Sequence, residues 1–308
     1  MQYINWLSHY KDDRRSAVTF GKFDGLHRGH QMLVEKVWEL GNANKINSVV
    51  CSFDMRPLYL RKGIHPQMLM TGQERYKHLD GLVDYLVECP FTEKFSGLGA
   101  EEFIRDIICD LFHASYVVVG TDFRFGFGKK GDIKMLASYA ETFGYELIVI
   151  EKERYHNREI SSTYAKEMLK EGKMEVVSDL LGYPYELTGV VEHGKKLGRR
   201  LGFPTFNVVW PEDKMAPPYG VYLSEVTVDG RTYGGISNVG VKPTVTEENH
   251  LLIETFLFGY SEDAYGKEVT VRLLHYRRPE QKFDSIEEMK ACIEEDILYG
   301  KHFFGMEK

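Results

Sequence analysis

The sequence predicts two folds in one chain: an amino-terminal Rossmann-like α/β domain with a parallel sheet, then a small antiparallel β-barrel closed by a helix. Three observations predict this. Short apolar runs alternate with helical patterns through the first part, which implies βαβ units and a sheet covered on both faces. Further along, strand-like runs follow one another with only turns between them, as in a barrel. The rhythm changes near residue 183, and 308 residues suffice for two ordinary cores. The expected domains are therefore 1–183 and 184–308.

Taken in order, Ser16-Ala17-Val18-Thr19-Phe20 reads as a buried strand and residues 29–41 as a helix. Ser48 to Phe53 is a second strand, Tyr116 to Val119 a later one and Glu146 to Ile150 another. Helical stretches near 73–80, 100–112 and 132–143 fall between them, and 162–181 reads as two further short helices. In the second part, 187–192, 220–228, 232–239, 251–258 and 268–275 read as strands. One amphipathic helix follows at about 285–299, with Ser285 as N-cap and Glu288 completing a capping box.

Composition narrows the function classes. The formal net charge of −7 argues against a general nucleic-acid binder, which carries a basic excess. No apolar run approaches the roughly 20 residues of a membrane span, so no membrane partner is expected. The amino terminus is charged and lacks an apolar stretch of signal-peptide length. Cys51, Cys89, Cys109 and Cys292 are scattered without metal-ligand or redox spacing, which suits a reduced, cytoplasmic setting.

Two stretches carry chemistry. In residues 189–207, Gly189, Gly194, Gly198 and Gly202 recur around Lys195, Lys196, Arg199 and Arg200, and the run ends on Pro204-Thr205-Phe206-Asn207. Glycines let backbone N–H groups approach phosphate oxygens, and a hydroxyl and an amide two residues apart can offer oxygen to a hard cation such as Mg²⁺. The Walker order is absent, so this is a different phosphate-transfer loop. Most charge runs are solvated faces; the interleaving with glycine favours phosphate contact here. The other stretch, Gly21-Lys22-Phe23-Asp24-Gly25-Leu26-His27-Arg28-Gly29-His30, joins the first strand to a helix. A helix amino terminus offers free N–H groups to an anion, and two imidazoles three residues apart share one side of the first turn. A lone histidine is usually structural; a pair in a glycine-rich strand-to-helix turn favours function.

The string from Gly21 to His30 resembles the adenylyltransferase half of the bacterial bifunctional riboflavin kinase/FAD synthetase family, within the nucleotidylyltransferase superfamily. Val119 to Gly126 and Ile160-Ser161-Ser162-Thr163 agree with it. The glycine-rich loop through Pro204-Thr205-Phe206-Asn207 resembles the kinase half, as do Gly220-Val221-Tyr222, Asn238 to Thr244, Tyr265-Gly266 and Arg278-Pro279-Glu280 with Lys282-Phe283. The resemblance covers essentially the whole chain in the family's order.

It implies an enzyme of two activities, with ATP, riboflavin, FMN and FAD as its small-molecule partners: riboflavin and ATP·Mg give FMN, then FMN and ATP·Mg give FAD and pyrophosphate. Glu254 would be the general base of the kinase, Thr205 and Asn207 would hold Mg²⁺, and Gly194, Lys195, Gly198, Arg199 and Gly202 would fold over the ATP phosphates. At the adenylyl site, His27 and His30 would stabilise the departing charge. Gly21, Phe23, Asp24, Gly25, Gly29, Ser161, Ser162, Thr163 and Lys166 would surround the nucleotide, and Asp122, Phe123, Phe125 and Arg278 would meet flavin. Several of these have bland readings too. Alternating phenylalanines are more often core, Arg277 and Arg278 read equally as a solvated pair, Asp24 reads also as a helix cap, and a single Glu in an alternating strand more often faces solvent. What lifts Glu254 is the nearly unbroken apolar text around it, Leu251 to Phe258. The chain departs from the family pattern where Met55-Arg56 replaces a proline and a histidine, and where Lys166 replaces an arginine. Those departures keep open a monofunctional kinase whose first domain binds nucleotide without turnover. A flavin-binding protein with neither activity is a third reading.

Overall fold

The computed structural model describes residues 1–192, 202–243 and 249–306, with Lys242, Pro243 and Asn249 as backbone alone. Two compact units emerge, Met1–Ser162 and Thr163–Lys308. This division falls ahead of the change of rhythm at residue 183, so the helices read at 162–181 group with the barrel.

In the first unit, β1 (Gln2–Ile4), β2 (Ser16–Gly21), β3 (Asn47–Asp54), β4 (Tyr85–Pro90), β5 (Ala114–Gly120) and β6 (Glu146–Ile150) form one parallel sheet in the order β1-β4-β3-β2-β5-β6. The helices α1 (Arg28–Asn44), α2 (Arg56–Arg61), α3 (Gly72–Leu79), α4 (Glu93–Ser96), α5 (Ala100–Glu102) and α6 (Ile133–Phe143) connect the strands, α5 running on as a π-helical stretch through Cys109. A short hairpin, β7 (Arg154–Tyr155) with β8 (Arg158–Glu159), follows β6. β2 is buried on both faces, which is why its text is apolar without alternation. Val18 and Phe20 join the core on one side of the sheet, with Ile104 and Phe112; Ala17 joins that on the other, with Val34 and Val37 of α1. The chain steps outward from β2 through β3 to β4, then returns to the far side of β2 for β5. The strand order therefore reverses at β2, and the crevice beyond the carboxyl ends of β2 and β5 is where such sheets take their ligands.

β4 escaped the sequence reading because Glu88 interrupts its apolar run. That carboxylate is buried and paired with Arg75 of α3 at 2.6 Å.

The second unit begins with α7 (Ser162–Lys170, all but its first residue) and α8 (Met174–Leu181), whose Met174, Val177, Leu180 and Leu181 are buried. Six strands follow: β9 (Tyr185–Val190), β10 (Thr205–Val209), β11 (Gly220–Val228), β12 (Arg231–Pro243), β13 (Asn249–Leu257) and β14 (Glu268–Pro279). They pair antiparallel in the order β10-β13-β12-β11-β14-β9, and a bridge between Glu192 and Asn207 joins the two edges into a barrel. At that closure Gly189 has a packing role: a Cβ there would sit 2.5 Å from Val208 Cγ1. Asp229 and Gly230, both left-handed, turn β11 into β12 as Asp-Gly hairpins do. The closing helix α9 (Ile286–Phe303) starts at Ser285, whose Oγ accepts the Glu288 N–H at 3.1 Å. The Glu288 carboxylate reaches back to Asp284 N–H rather than Ser285, so the expected box is shifted by one residue.

Candidate active sites

The first site is built at the end of β2. Beyond Gly21 the backbone turns through three left-handed residues, Phe23 (φ 46°), Gly25 (φ 83°) and Leu26 (φ 37°). Such angles at bulky residues cost of order 1–3 kcal/mol each and persist only where the surroundings over-determine them. Here Phe23 and Leu26 are buried in the core shared with α1. Leu69 N–H donates to Asp24 Oδ1 at 2.7 Å, Ser162 Oγ donates to the Asp24 carbonyl at 2.8 Å, and Gln31 Nε2 donates to the Leu26 carbonyl at 2.8 Å. Asp24 thus ties the turn to residue 69 and does not cap α1. That cap is His27, whose Nδ1 accepts the His30 N–H at 3.3 Å.

The bond fixes the chemistry of the histidine pair. An accepting Nδ1 places the proton of the neutral His27 ring on Nε2. The His27 and His30 rings stack with centroids 3.7 Å apart, and Gly29 leaves room for them, since a Cβ there would lie 3.3 Å from His27 Nδ1. Burial pushes His27 down to about 4, against a partial upward pull from Asp24, and holds His30 well below its ordinary value. Both are neutral rings at neutral pH, suited to donating hydrogen bonds rather than charge. His30 Nδ1 is buried without a hydrogen-bond partner among the described residues.

Charge comes from the neighbouring strand ends. Lys152, just beyond β6, lies 2.8 Å from Asp122, just beyond β5, and 2.9 Å from Glu159 on β8. Arg28 pairs with Glu153. The fields of Lys152 and Asp122 both reach His27. The crevice therefore gathers His27, Asp122 and Lys152 from the ends of β2, β5 and β6. Lys152 was absent from the sequence reading, although its place after a strand of a parallel sheet was a usable signal.

Not every expected residue lies at the crevice. Phe125 is a core residue: it is buried, and its ring packs on Phe103 and covers Gly131. Phe123 is half-buried and stacks on Phe125 and Phe20, so the bland reading of the alternation accounts for residue 125. Met55 is buried, and Arg56 is chelated by Asp54, with Nε to Oδ1 at 2.8 Å and Nη2 to Oδ2 at 3.0 Å. Ser161 and Ser162 close the first unit, Ser162 reaching the turn through its bond to the Asp24 carbonyl, while Thr163 and Lys166 belong to α7 in the second.

The second site lies on the barrel. Thr205 Oγ1 donates to Glu254 Oε1 at 2.6 Å. On β13, Glu254 stands opposite Asn207 of β10 on one side and Asn238 of β12 on the other. Its neighbours Ile253 and Thr255 point into the barrel and are fully buried, so Glu254 is half-buried on the outer face, neither solvated nor core. The signal that put it beside Thr205 and Asn207 is strand register, which a single sequence does not display. A cavity of about 290 Å³ opens beside Thr205, walled by Val191, Pro204, Phe206, Leu257 and Tyr265 among others. Glu280 Oε1 accepts from Asn238 Nδ2 at 3.0 Å and packs over Gly240.

Gly194, Lys195, Gly198 and Arg199 lie outside the described residues; Gly202 is described and left-handed, at φ 90°. Arg278 is not part of a solvated pair. Its Nη2 lies 2.6 Å from Oδ2 of the buried Asp296 on α9, with Nε at 3.0 Å, while Arg277 covers the Tyr299 ring at 4.1 Å. Arg278 braces the closing helix against β14. Among the described residues no cluster of three His, Cys, Asp or Glu side chains has metal-binding geometry, and no helix is long and apolar enough to cross a membrane. The oxygen donors at Thr205, Asn207 and Glu254 do fit a hard cation that keeps waters and phosphate oxygens as its remaining ligands.

Comparison with known proteins follows the same division. Residues 9–164 match the FAD synthetase family and residues 181–304 the riboflavin kinase family. The chain is 33% identical over 314 residues to the bifunctional riboflavin kinase/FMN adenylyltransferase of Buchnera aphidicola subsp. Acyrthosiphon pisum, covering 100% of both chains. It is 34% identical over 295 residues to the protein of that name from Escherichia coli K12, covering 95% of this chain and 94% of the relative. A solved structure described as a macrolide-efflux protein from Streptococcus pneumoniae superposes with a TM-score of 0.86 at 28% identity, covering 97% of this chain and 98% of that one. With both halves matched in one order and full-length relatives above 30% identity, the chain belongs to the bifunctional riboflavin kinase/FMN adenylyltransferase family.

Proposed function

We propose that the barrel phosphorylates riboflavin to FMN and that the α/β unit adenylylates FMN to FAD, each with ATP. The observation that carries this is that each family match contains one donor set: the stacked His27/His30 turn in the first, and the Thr205–Glu254 hydrogen bond beside Asn207 in the second.

In the barrel, the ribityl 5′-hydroxyl attacks the γ-phosphorus of ATP, its proton passes to the Glu254 carboxylate, and the bond to ADP breaks. The Thr205 hydroxyl orients that carboxylate. A positioned base of this kind contributes on the order of 10²–10⁴-fold. Thr205 and Asn207, together with the ATP phosphates, would hold Mg²⁺, which would supply neutralisation of phosphate charge. Val191, Pro204 and Phe206 form the apolar wall of the cavity beside Thr205.

In the α/β unit, a phosphate oxygen of FMN attacks the α-phosphorus of ATP and pyrophosphate leaves. An ionised phosphate needs no base, so the protein's contribution is positioning and charge stabilisation. His27, with its proton on Nε2, donates to phosphate at the α1 amino terminus. Lys152 adds the positive charge that two neutral imidazoles lack. Asp122 and Phe123, at the end of β5, form the edge of the crevice that receives flavin.

We place the functional boundary at 183/184, with 1–183 serving adenylyl transfer and 184–308 phosphorylation, and the chain in the cytoplasm, which suits its four free cysteines. The test is to incubate the purified protein with ATP·Mg and either riboflavin or FMN and to separate the flavins by chromatography. FMN from the first and FAD from the second are expected. FMN without FAD would reduce the α/β unit to a binding module, and neither product would remove the reading.

A further inference from the structure

One buried ionic network in the first unit has no part in the chemistry above, yet it ends on the strained turn. Arg75 of α3 and Glu88 of β4 are 5% and 6% exposed, and Arg75 Nη1 lies 2.6 Å from Glu88 Oε1. The second Glu88 oxygen accepts the Tyr3 hydroxyl of β1 at 2.8 Å. A buried pair is a poor route to stability, because desolvation consumes most of the attraction; such pairs persist where orientation matters. The other arm of the guanidinium shows what is oriented. Arg75 Nε donates to the carbonyl of Phe23 at 3.4 Å. That bond is long, and the full charge on its donor keeps it attractive.

Phe23 is the residue forced into the left-handed region at φ 46°, and its ring lies 5.1 Å from that of His30. The path therefore runs from Tyr3 through Glu88 and Arg75 to the Phe23 carbonyl, and from the Phe23 ring to His30. α3 is itself fixed by a true capping box: Thr71 Oγ1 accepts Glu74 N–H at 3.2 Å, and Glu74 accepts Thr71 N–H at 2.8 Å. Two residues before that cap, Leu69 N–H holds Asp24, so the segment from 69 to 75 grips consecutive residues of the turn. We propose that Arg75, locked by Glu88 and Tyr3, is a positioning residue for adenylyl transfer that holds Phe23 left-handed and so sets the His27/His30 pair. The proposal rests on the adenylyl-transfer reading of this site.

The charged groups around the histidines are Asp24 on the turn, Asp122 and Lys152 beyond β5 and β6, and Arg75 with its partner Glu88. The experiment uses the full chain and four variants: Arg75→Met, Arg75→Lys, Glu88→Gln and Tyr3→Phe. Small misplacement of a catalytic turn costs up to about 100-fold, so kcat for FAD formation in Arg75→Met is expected to fall about 30- to 100-fold. KM for FMN should change less than about threefold, and riboflavin phosphorylation in the same molecules should stay within about twofold, as for a lost transition-state interaction in one unit only. Arg75→Lys, which keeps the charge without the fork, should recover about tenfold of the loss. Histidine ring NMR supplies a readout that separates positioning from mere loosening: titration of His30 should shift downward in Glu88→Gln, where Arg75 loses its counterion, whereas loosening relieves burial and would shift it upward. If Arg75→Met does not fold, Glu88→Gln and Tyr3→Phe decide, with an expected loss in kcat of about five- to tenfold. Rates within threefold of the parent, or FMN and FAD formation falling in step, would overturn the proposal. A parent that forms no FAD would instead overturn the adenylyl-transfer reading itself.

Discussion

Burial of the histidine pair makes the stability of the α/β unit depend on pH in a calculable way. His27 is held at about 4 in the fold against 6.5 when exposed. Its unfolded form therefore binds the proton first, and stability falls as pH drops from about 6.5 towards 4, then levels off. Between pH 7 and pH 5 the proton-binding ratio of unfolded to folded states changes enough to cost about 2 kcal/mol from His27 alone, out of about 3 kcal/mol for the whole interval. His30 adds in the same direction. The perturbation is His27→Asn, because asparagine is itself a good N-cap and does not titrate. Pulse proteolysis in urea at pH 7 and pH 5, reading fragments of residues 1–162, gives the stability of this unit separately. The parent should lose about 2 kcal/mol more than the variant on acidification. An equal loss in parent and variant would refute the claim that the ring is buried and neutral.

Further expectations concern the barrel and the crevice. Gly189→Ala places a Cβ 2.5 Å from Val208 Cγ1 and should cost about 1–3 kcal/mol, seen as a lower melting temperature of the barrel unit; an unchanged melt would contradict the closure described. Arg278→Met leaves the buried Asp296 with Arg277 at 3.6 Å as its remaining listener of opposite charge among the described residues, at a cost of about 3–5 kcal/mol. Amides of α9 should then exchange faster, and unchanged exchange would show that the helix is anchored otherwise. Lys152→Met should raise KM for ATP in adenylyl transfer by about tenfold, the worth of a hydrogen bond to a charged group, while riboflavin phosphorylation is unaffected. An unchanged KM would remove Lys152 from the site.

The parallel sheet was legible because β2 and β3 are buried on both faces and their apolar text is unbroken. β4 was not, because the Glu88 that serves the Arg75 network reads as a solvent-facing charge in a lone sequence. β10 was hidden differently. Thr205 and Asn207 stood out as cation ligands, so their stretch read as a loop, whereas it is an edge strand whose register sets Asn207 opposite Glu254. Local patterns expose a strand or a turn, but partners across a sheet are fixed by register over long separations. The same limit explains Arg278 and Asp296, which meet only once α9 folds back on β14, and Lys152 and Asp122, which meet at adjacent strand ends. His27 and His30 were legible for the opposite reason: three residues apart at a helix start, their proximity is local.

The central claim is that one chain carries two independent active sites, and a crossed pair of variants tests it most directly. Glu254→Gln and His27→Asn are each assayed for FMN from riboflavin and for FAD from FMN. Glu254→Gln should lose FMN formation by about 10²-fold or more while FAD formation persists, and His27→Asn should do the reverse. Loss of both products in either variant, or of neither, would contradict the assignment of one reaction to each unit.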